Sequence, residues 1–530
     1  MTNETSFLPA DYWQSLDINK RDIEFLHTHL FETETPLTIV ELATVFVVER
    51  IRIEKANMLK KRKGSGKVFS PKESYQVGDE LTFPALNWQK GKITSIRPGD
   101  NPEVAEFDVL IVAMKDGVER QFAARLEEHA LNEVDGASDG DVDDNPDEIV
   151  RDFGPAIAKE LDAALRDGEE LVSIAGHWFP RALLVDVNMG HLNLAEAILD
   201  MAEGEPQLTA VLMRDIDLPS GDNANLTEFS LNYALQEDPR FDEVGSAGQV
   251  LWCLERLEPE AVRNIPTFLQ YTPVDLDRAT LSADMLALEA KLDDELSRIE
   301  LGEDEKLKKV TISLLYPHWR MGTLPISERI RSFFPTAYES PRIRFTLVDG
   351  KTGEKMPAWV VKGNRYVFGL KEWYSEMNLL PGSLIDIKPG KNPGEVIVDA
   401  QTYRRKKDWV RTVLVGADGG LVFATLKQEL HANFDDRMVL AIPDEDVMDK
   451  AWEQAQAKGQ SLTQLLHNMM KELTKLNPQG HIHAQELYSA INIVRRCPPA
   501  PLFSLLATQP WAMHVGDLYF RLGDETEGKE

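Results

Sequence analysis

Residues 309–412 carry a charge opposite to that of the chain around them. This segment holds 18 Lys and Arg against 10 Asp and Glu, in a 530-residue chain whose formal net charge is −30. Residues 133–308, directly before it, hold 13 basic and 41 acidic residues. Clustered Lys and Arg are the electrostatic footprint of a phosphate-binding surface. The basic segment is therefore predicted to bind nucleic acid, with the acidic block as a solvated surface, a competitor for the basic groove or a partner-docking surface.

The remaining composition is that of a folded chain of several domains. Hydrophobic residues make up 43% and charged residues 28%, both ordinary values for soluble proteins. Cys253 and Cys497 cannot form a disulfide framework and fit a reducing compartment. The first residues have neither the basic nor the apolar region of a signal peptide, and Ile39–Val48 is too short to span a bilayer. We therefore expect a cytoplasmic protein with no membrane span.

The basic segment has the pattern of a small β-barrel. In Arg342–Asp349 the apolar residues Ile343, Phe345 and Leu347 alternate with polar ones, which is typical of a half-buried strand. Further short strands are predicted at Val310–Leu315, Ala358–Val361 and Arg365–Phe368, with short helices at Ser327–Phe334 and Lys371–Met377.

Two runs in this segment, TLPISERIRSFFP and NRYVFGLKEWYSEMNLLPGSLIDI, together with the strands between them, resemble the B3 family of DNA-binding pseudobarrels. Related barrels occur in plant transcription factors and in the target-recognition domains of some restriction enzymes. The pattern L-x-P-G-x-x-I-x-I, which begins at Leu379, also suits AbrB-like and other small barrels. The resemblance implies double-stranded DNA as a partner for residues 309–412.

In a B3-like fold, two loops at one edge of the barrel enter the major groove. The resemblance places these loops at Pro317–Met321 and Lys362–Tyr366. The base-edge, phosphate and sugar contacts that it implies are Trp319, Arg320, Lys362, Asn364, Arg365 and Tyr366. The later run Arg404, Arg405, Lys406 and Lys407 follows the last predicted barrel strand, and we expect it to contact phosphates without reading bases, unless it is only a solvated charge run.

The first 150 residues divide into three regions. Residues 1–60 show helical spacing, and Thr38 followed by Glu41 is a capping-box pattern; the helices form a hairpin or a helix-turn-helix. Residues 61–132 are rich in short strands and look like an SH3- or Tudor-like barrel, with a short resemblance to the polymerase-interacting domain of CarD-type regulators. Residues 133–150 are acidic and predicted to be a disordered linker.

Two further regions, 151–265 and 447–530, show helices followed by short β-runs. This order resembles the HARE-HTH winged-helix family, found in the delta subunit of bacterial RNA polymerase, in chromatin regulators and beside restriction enzymes. The two regions share the frame L-x-x-x-L-x-x-x-P-x-x-x-x-V-G, which begins at Leu231 and again at Leu502, and convergent packing is the alternative explanation. The expected recognition helix Asn225–Glu237 has no Lys or Arg, so we expect these modules to bind protein or to pack internally.

The predicted fold is therefore a multi-domain α+β chain in which small β-barrels, SH3-like and B3-like, alternate with winged-helix-like domains. Residues 266–308 form an acidic helical connector, with one long helix over 280–308, and residues 413–446 a β extension. No catalytic motif, metal-ligand set or cofactor motif stands out. We expect a DNA-binding regulator or recognition protein; the alternatives are a transcription-machinery scaffold that does not read sequence and a nuclease with a cryptic site.

Overall fold

The computed structural model describes residues 10–63, 67–83, 86, 89–100, 107–115, 117–126, 145–216, 218, 223–299, 307–392, 394–416 and 419–523. The predicted linker 133–150 lies outside the described residues, except for its last six positions. The chain forms two compact units. Unit 1 contains Met1–Ser173 and His177–Leu183, and unit 2 contains Ile174–Gly176 and Leu184–Glu530.

Unit 1 contains a five-stranded sheet between helices. Its helices are α1 (Ala10–Gln14), α2 (Lys20–Thr33), α3 (Ile39–Lys63) and α4 (Pro146–Arg166). Its strands are β1 (Leu37–Thr38), β2 (Lys67–Val68), β3 (Glu80–Phe83), β4 (Gln89–Pro98), β5 (Asp108–Met114), β6 (Glu119–Ala124), β7 (Leu171–Ile174) and β8 (His177–Pro180). Strands β2 to β6 pair in sequence order around a core that includes Leu81, Phe83 and Val112, so the strand-rich prediction for this region is confirmed.

The other elements of unit 1 form a helix–sheet repeat. We use this name for a helix, a two-residue strand, two more helices and a hairpin whose second strand pairs with the two-residue strand. The first copy consists of α2, β1, α3, α4, β7 and β8, with the sheet order β1-β8-β7. The predicted cap at α3 is present, because the Thr38 amide donates to Glu41 Oε2 (2.7 Å) and the Glu41 amide to Thr38 Oγ1 (3.2 Å). The five-stranded sheet is inserted between the second and third helices of this copy.

Unit 2 contains two more copies of the helix–sheet repeat. The second copy consists of α5 (Met189–Met201), β9 (Gln207–Leu208), α6 (Thr209–Asp215), α7 (Ala224–Gln236), β10 (Phe241–Glu243) and β11 (Leu251–Leu254). Its sheet order, β9-β11-β10, matches that of the first copy. The shared sequence frame falls on the third helix and the hairpin of the second and third copies, and both leucines of each frame are buried.

The segment after the second copy contains α8 (Glu260–Arg263) and α9 (Ala283–Leu292). The long helix predicted over 280–308 is therefore wrong in length. Helix α9 ends because Asp293 adopts the left-handed conformation, with φ of 50°, and the chain then turns at Asp294 and Glu295.

A curled, open seven-stranded sheet forms the centre of unit 2. Its strands are β12 (Val310–Ser313), β13 (Thr323–Pro325), β14 (Arg342–Asp349), β15 (Lys355–Val361), β16 (Tyr366–Phe368), β17 (Leu384–Pro389) and β18 (Glu395–Ala400), in the order β12-β17-β18-β14-β15-β16-β13. Two short helices, α10 (Tyr316–Met321) and α11 (Lys371–Glu376), interrupt them. The alternation predicted for β14 is confirmed, because Ile343, Phe345 and Leu347 are buried.

The chain leaves this sheet as a long two-stranded ribbon, β19 (Thr402–Val415) and β20 (Leu421–Ala432). The C-terminal part contains α12 (Glu445–Ala457) and then the third helix–sheet repeat: α13 (Leu462–Thr474), β21 (Ile482–His483), α14 (Ala484–Ile491), α15 (Pro499–Thr508), β22 (Ala512–Gly516) and β23 (Tyr519–Leu522). Its sheet order, β21-β23-β22, is again that of the first copy. The described residues therefore form a mixed α+β chain, as predicted.

Candidate nucleic-acid interface

The first predicted DNA-contacting loop is a buried helix. Pro317–Met321 lies within α10, and the Trp319 side chain is 8% exposed with its Nε1 donating to the Leu379 carbonyl at 2.7 Å. Arg320 makes a bidentate contact with Asp449 of α12, at 2.9 Å from Nε and 2.5 Å from Nη2. The expectation that these side chains lie on an open loop is wrong, because α12 packs beside α10 and supplies the carboxylate that Arg320 binds.

The second predicted loop is a tight turn that is only partly open. Lys362 and Asn364 are exposed, and Lys362 Nζ donates to the carbonyl of Ser340 at 3.1 Å. Arg365 has φ of 54° and places Nη1 3.0 Å from Glu328 Oε1. Tyr366 is 1% exposed and therefore cannot pack on a sugar or a thymine methyl. Its hydroxyl donates to the Ala261 carbonyl at 2.6 Å, which ties the sheet to α8 in the segment after the second repeat.

The predicted basic run lies on the ribbon and is fully accessible. All four side chains of this run, Arg404, Arg405, Lys406 and Lys407, are exposed. The pairing register between β19 and β20 shifts in this part of the ribbon, between Thr402 and Lys406. Arg405 and Lys407 lie 3.2 and 3.6 Å from Glu429, and Lys406 lies 2.8 Å from Asp408. Exposed ion pairs of this kind contribute little to stability, so an approaching phosphate can replace them.

Sequence reasoning missed an aromatic side chain next to this run. Trp409 is 65% exposed and lies opposite Lys427 on β20. A tryptophan directly after four basic residues and Asp408 was the available signal. An aromatic face flanked by cations can stack on a base or pack on a sugar. The ribbon is also the kind of element that fits the major groove of B-DNA.

The turn and the ribbon lie at opposite ends of the seven-stranded sheet. Arg342 at the start of β14 pairs with Val361, directly before the turn. Asp349 at the end of β14 pairs with Val398 of parallel β18, close to Ala400, after which the ribbon begins. At about 3.3 Å per residue, the ends of this eight-residue strand are about 23 Å apart. The turn and the basic run of the ribbon therefore do not form one continuous contact surface on the sheet.

Acidic residues from elsewhere in unit 2 neutralise part of the basic sheet. Arg342 lies 2.6 Å from Asp242 and 3.2 Å from Glu258, and Arg344 lies 3.4 Å from Glu205. Burial and the neighbouring Asp242 raise the pKa of Glu258 to about 9, so Glu258 is protonated near pH 7 and adds no negative charge beside Arg342. In these contacts, acidic side chains from residues 133–308 lie directly on cations of the sheet. The net charge of residues 309–412 therefore overstates the positive charge that is available to bind DNA.

A buried set of ionisable groups also joins the sheet to the third repeat. Arg496 Nη2 donates to Asp294 Oδ1 at 2.6 Å and to Glu295 Oε1 at 2.7 Å. His318 Nε2 lies 3.2 Å from Glu295 Oε1, and the Tyr488 hydroxyl donates to Asp294 Oδ2 at 2.5 Å. All five side chains are buried. Each of the five side chains has at least one partner within this set, which indicates a structural role.

The third helices of the helix–sheet repeats lack the positive charge of a DNA-reading helix. Helix α4 contains five acidic and three basic residues, α7 contains one acidic residue and no basic one, and α15 contains no charged residue. A negative or neutral helix gains nothing from phosphate attraction. None of these three helices is thus suited to the major groove.

Within the described part of the chain, no group of three or more His, Cys, Asp and Glu side chains could hold a metal ion. No helix in that part is both long and apolar enough to cross a membrane. In the comparisons with known proteins, no family model, no curated protein and no solved structure matches this chain.

Proposed function

We propose that this chain binds double-stranded DNA through the seven-stranded sheet domain and the ribbon that follows it. The observation that carries the proposal is the exposed run Arg404–Lys407 beside Trp409 on a two-stranded ribbon. Four adjacent exposed cations, three of them in surface ion pairs, supply phosphate contacts, and the neighbouring indole supplies a surface for a base or sugar. Lys362 and Asn364 offer a second, smaller contact at the other end of the sheet.

The order of elements supports the finer assignments within this proposal. Seven strands with one short helix after the first and another after the fifth agree with the B3-like resemblance. The three helix–sheet repeats agree with the winged-helix order, and the five-stranded sheet with an SH3- or Tudor-like barrel. Because the third helices of the repeats have no positive face, we assign the repeats to protein contacts and internal packing, not to DNA.

The experiment compares two charge-matched variants of the full chain. In the first, Arg404, Arg405, Lys406 and Lys407 are all replaced by Gln. In the second, four exposed lysines elsewhere are replaced by Gln: Lys92, Lys115, Lys159 and Lys450. Fluorescence anisotropy with a labelled duplex of mixed sequence gives the affinity at several salt concentrations.

The ribbon variant should lose affinity for all duplexes alike, and its plot of log affinity against log salt should flatten by about 0.9 per lost phosphate contact. The control variant should change little, because its lysines are scattered. Equal losses in both variants would show that only total charge matters and would remove the ribbon from the interface. A loss confined to one DNA sequence would contradict a phosphate role.

A scaffold that does not read DNA sequence is the second candidate, and one observation favours it. Trp319 and Tyr366 are buried, and Arg320 is bound to Asp449, so three of the predicted base- and sugar-contacting side chains are engaged inside the protein. Competition between duplexes of different sequence separates the two candidates. A chain that binds all duplexes equally supports the scaffold, and a selective chain supports sequence readout.

A further inference from the structure

Helix α5 of the second repeat is apolar on two opposite faces. One face carries Leu192, Ala195 and Leu199, which are buried in the core of that repeat. The opposite face carries Leu194, 48% exposed, and Met201, 85% exposed. Exposed apolar side chains grouped on one face and bordered by polar ones are typical of an interaction site. The outer face of α5 therefore has the composition of a contact surface.

The outer residues follow the spacing of a coiled-coil seam. Gly190, Leu194, Ala197 and Met201 are separated by four, three and four residues, and all four are exposed. Apolar residues that alternate at spacings of three and four form the stripe that one helix presents to another. Gly190 and Ala197 are small, which allows a second helix backbone to approach closely. The seam therefore fits a helix better than a strand or a loop.

The charge around the seam selects the partner. Residues 184–263 contain 16 acidic and four basic residues. Two of those basic residues pair with the two acidic residues of α5, Arg240 with Glu196 at 2.6 Å and Arg256 with Asp200 at 2.7 Å, so the remaining attraction for cations comes from the net negative charge of the whole region. A second copy of this chain would bring a surface of the same sign, so self-association is opposed by repulsion. A helix with Lys or Arg beside its apolar stripe is complementary in both shape and charge.

We propose that the seam of α5 binds the apolar face of a basic amphipathic helix in a partner protein. This inference rests on the protein-contact role assigned above to the helix–sheet repeats and not on the DNA-binding role. It names the class of partner and the residues that hold it. Leu194 and Met201 supply the buried apolar contact, and the acidic surface around them supplies the attraction for the flanking cations.

The test uses the full chain and a pair of synthetic probes. One probe is a helical peptide with Leu at the seam positions and Lys at the flanking positions, and the other has Glu in place of Lys. Binding is measured by fluorescence anisotropy for the wild type, for the variant L194D/M201D and for the control V77D/V118D. The control adds the same charge at two other exposed apolar positions.

We expect the wild type and the control to bind the Lys peptide, and none of the proteins to bind the Glu peptide. The variant L194D/M201D should bind the Lys peptide at least about tenfold more weakly, because two apolar contacts are lost even though its added negative charge favours the peptide. Its melting temperature and its affinity for DNA should stay unchanged, since both side chains are exposed and distant in sequence from the ribbon.

Several results would overturn the proposal. These are equal binding of the Lys peptide by the wild type and by L194D/M201D, equal binding of the two peptides, and no binding of either. If the wild type self-associates in sedimentation velocity and L194D/M201D is monomeric, the seam binds a second copy of this chain instead. A failure of the DNA-binding proposal shows only in the ribbon variant and leaves these peptide measurements unaffected.

Discussion

Replacing Arg496 by Met should be among the most destabilising single changes in unit 2. The Arg496 side chain has no exposed surface, and one guanidinium nitrogen, Nη2, binds both Asp294 and Glu295. Another, Nη1, donates to Asn492 Oδ1 at 3.1 Å. Removing one partner of a buried ion pair costs about 3–5 kcal/mol, because the other charge stays buried without compensation. Two carboxylates share this cation, so we expect a loss near the upper end of that range.

Such a loss is large against a total stability of roughly 5–15 kcal/mol. Equilibrium unfolding in urea, followed by circular dichroism and tryptophan fluorescence, measures it. Arg495→Met is the matched control, since Arg495 is the next residue, is only partly buried and donates to the Gln460 carbonyl at 3.2 Å. Adding D294N and E295Q to R496M should restore much of the stability, because the uncompensated charges are then gone. A loss below about 1 kcal/mol in R496M, or no recovery in the triple variant, would refute this reasoning.

The pH dependence gives an independent check. Burial opposes ionisation of Glu295, but the charges of Arg496 and His318 outweigh it and hold its pKa well below the usual range. A lowered folded pKa means that this stabilisation is present above the unfolded value and is lost only in strong acid. Without Arg496, burial dominates and raises the pKa of Glu295. As the pH falls from about 7 to about 5, the R496M protein should then gain more stability than the wild type does.

Three further predictions concern single side chains. Arg365→Ala should cost roughly 1–3 kcal/mol of DNA binding if Arg365 leaves Glu328 to make a bidentate base contact, and unchanged affinity and sequence preference in anisotropy would exclude that contact. Glu205→Gln should tighten DNA binding at low salt if the acidic block competes with DNA for Arg344. The control Glu203→Gln, at an exposed neighbouring position, should not tighten binding. Equal effects of the two substitutions would show that only the change in net charge matters. Burial lowers the pKa of His483 to about 4, so the stability that His483 contributes should be lost as the pH falls from about 6.5 towards 4. The stability difference between the wild type and His483→Asn, which keeps a helix-capping acceptor, should therefore shift against the wild type over that range in urea unfolding, and a difference independent of pH would contradict this.

Local patterns in the sequence determined many of the elements. The alternation in Arg342–Asp349 identified a strand, because burial of one sheet face requires apolar residues at every second position. Thr38 and Glu41 identified a helix start, because a cap is made within one turn. The run Arg404–Lys407 was also correctly expected to be available to solvent, since four adjacent cations cannot all be buried.

The first helix–sheet repeat was missed because its sequence is interrupted. Its second and third helices, α3 and α4, are separated by the whole five-stranded sheet, so no continuous window shows the repeat. The shared frame was visible only in the two copies that run without an insertion. The pairing of β1 with β8 brings the parts together, and that pairing is a property of the folded chain.

Only the tertiary structure decided which charged and aromatic residues face solvent. Trp319 and Arg320 have side chains suited to DNA, but Trp319 is buried and bonded to the Leu379 carbonyl, and Arg320 binds Asp449 of α12, more than a hundred residues later. Arg496 meets Asp294 across 202 residues of chain. A side chain's chemistry is local, whereas its burial depends on which distant segment packs against it. The sequence by itself thus determined where strands, helices and the basic run occur, and packing determined which of their side chains remain free to bind a partner.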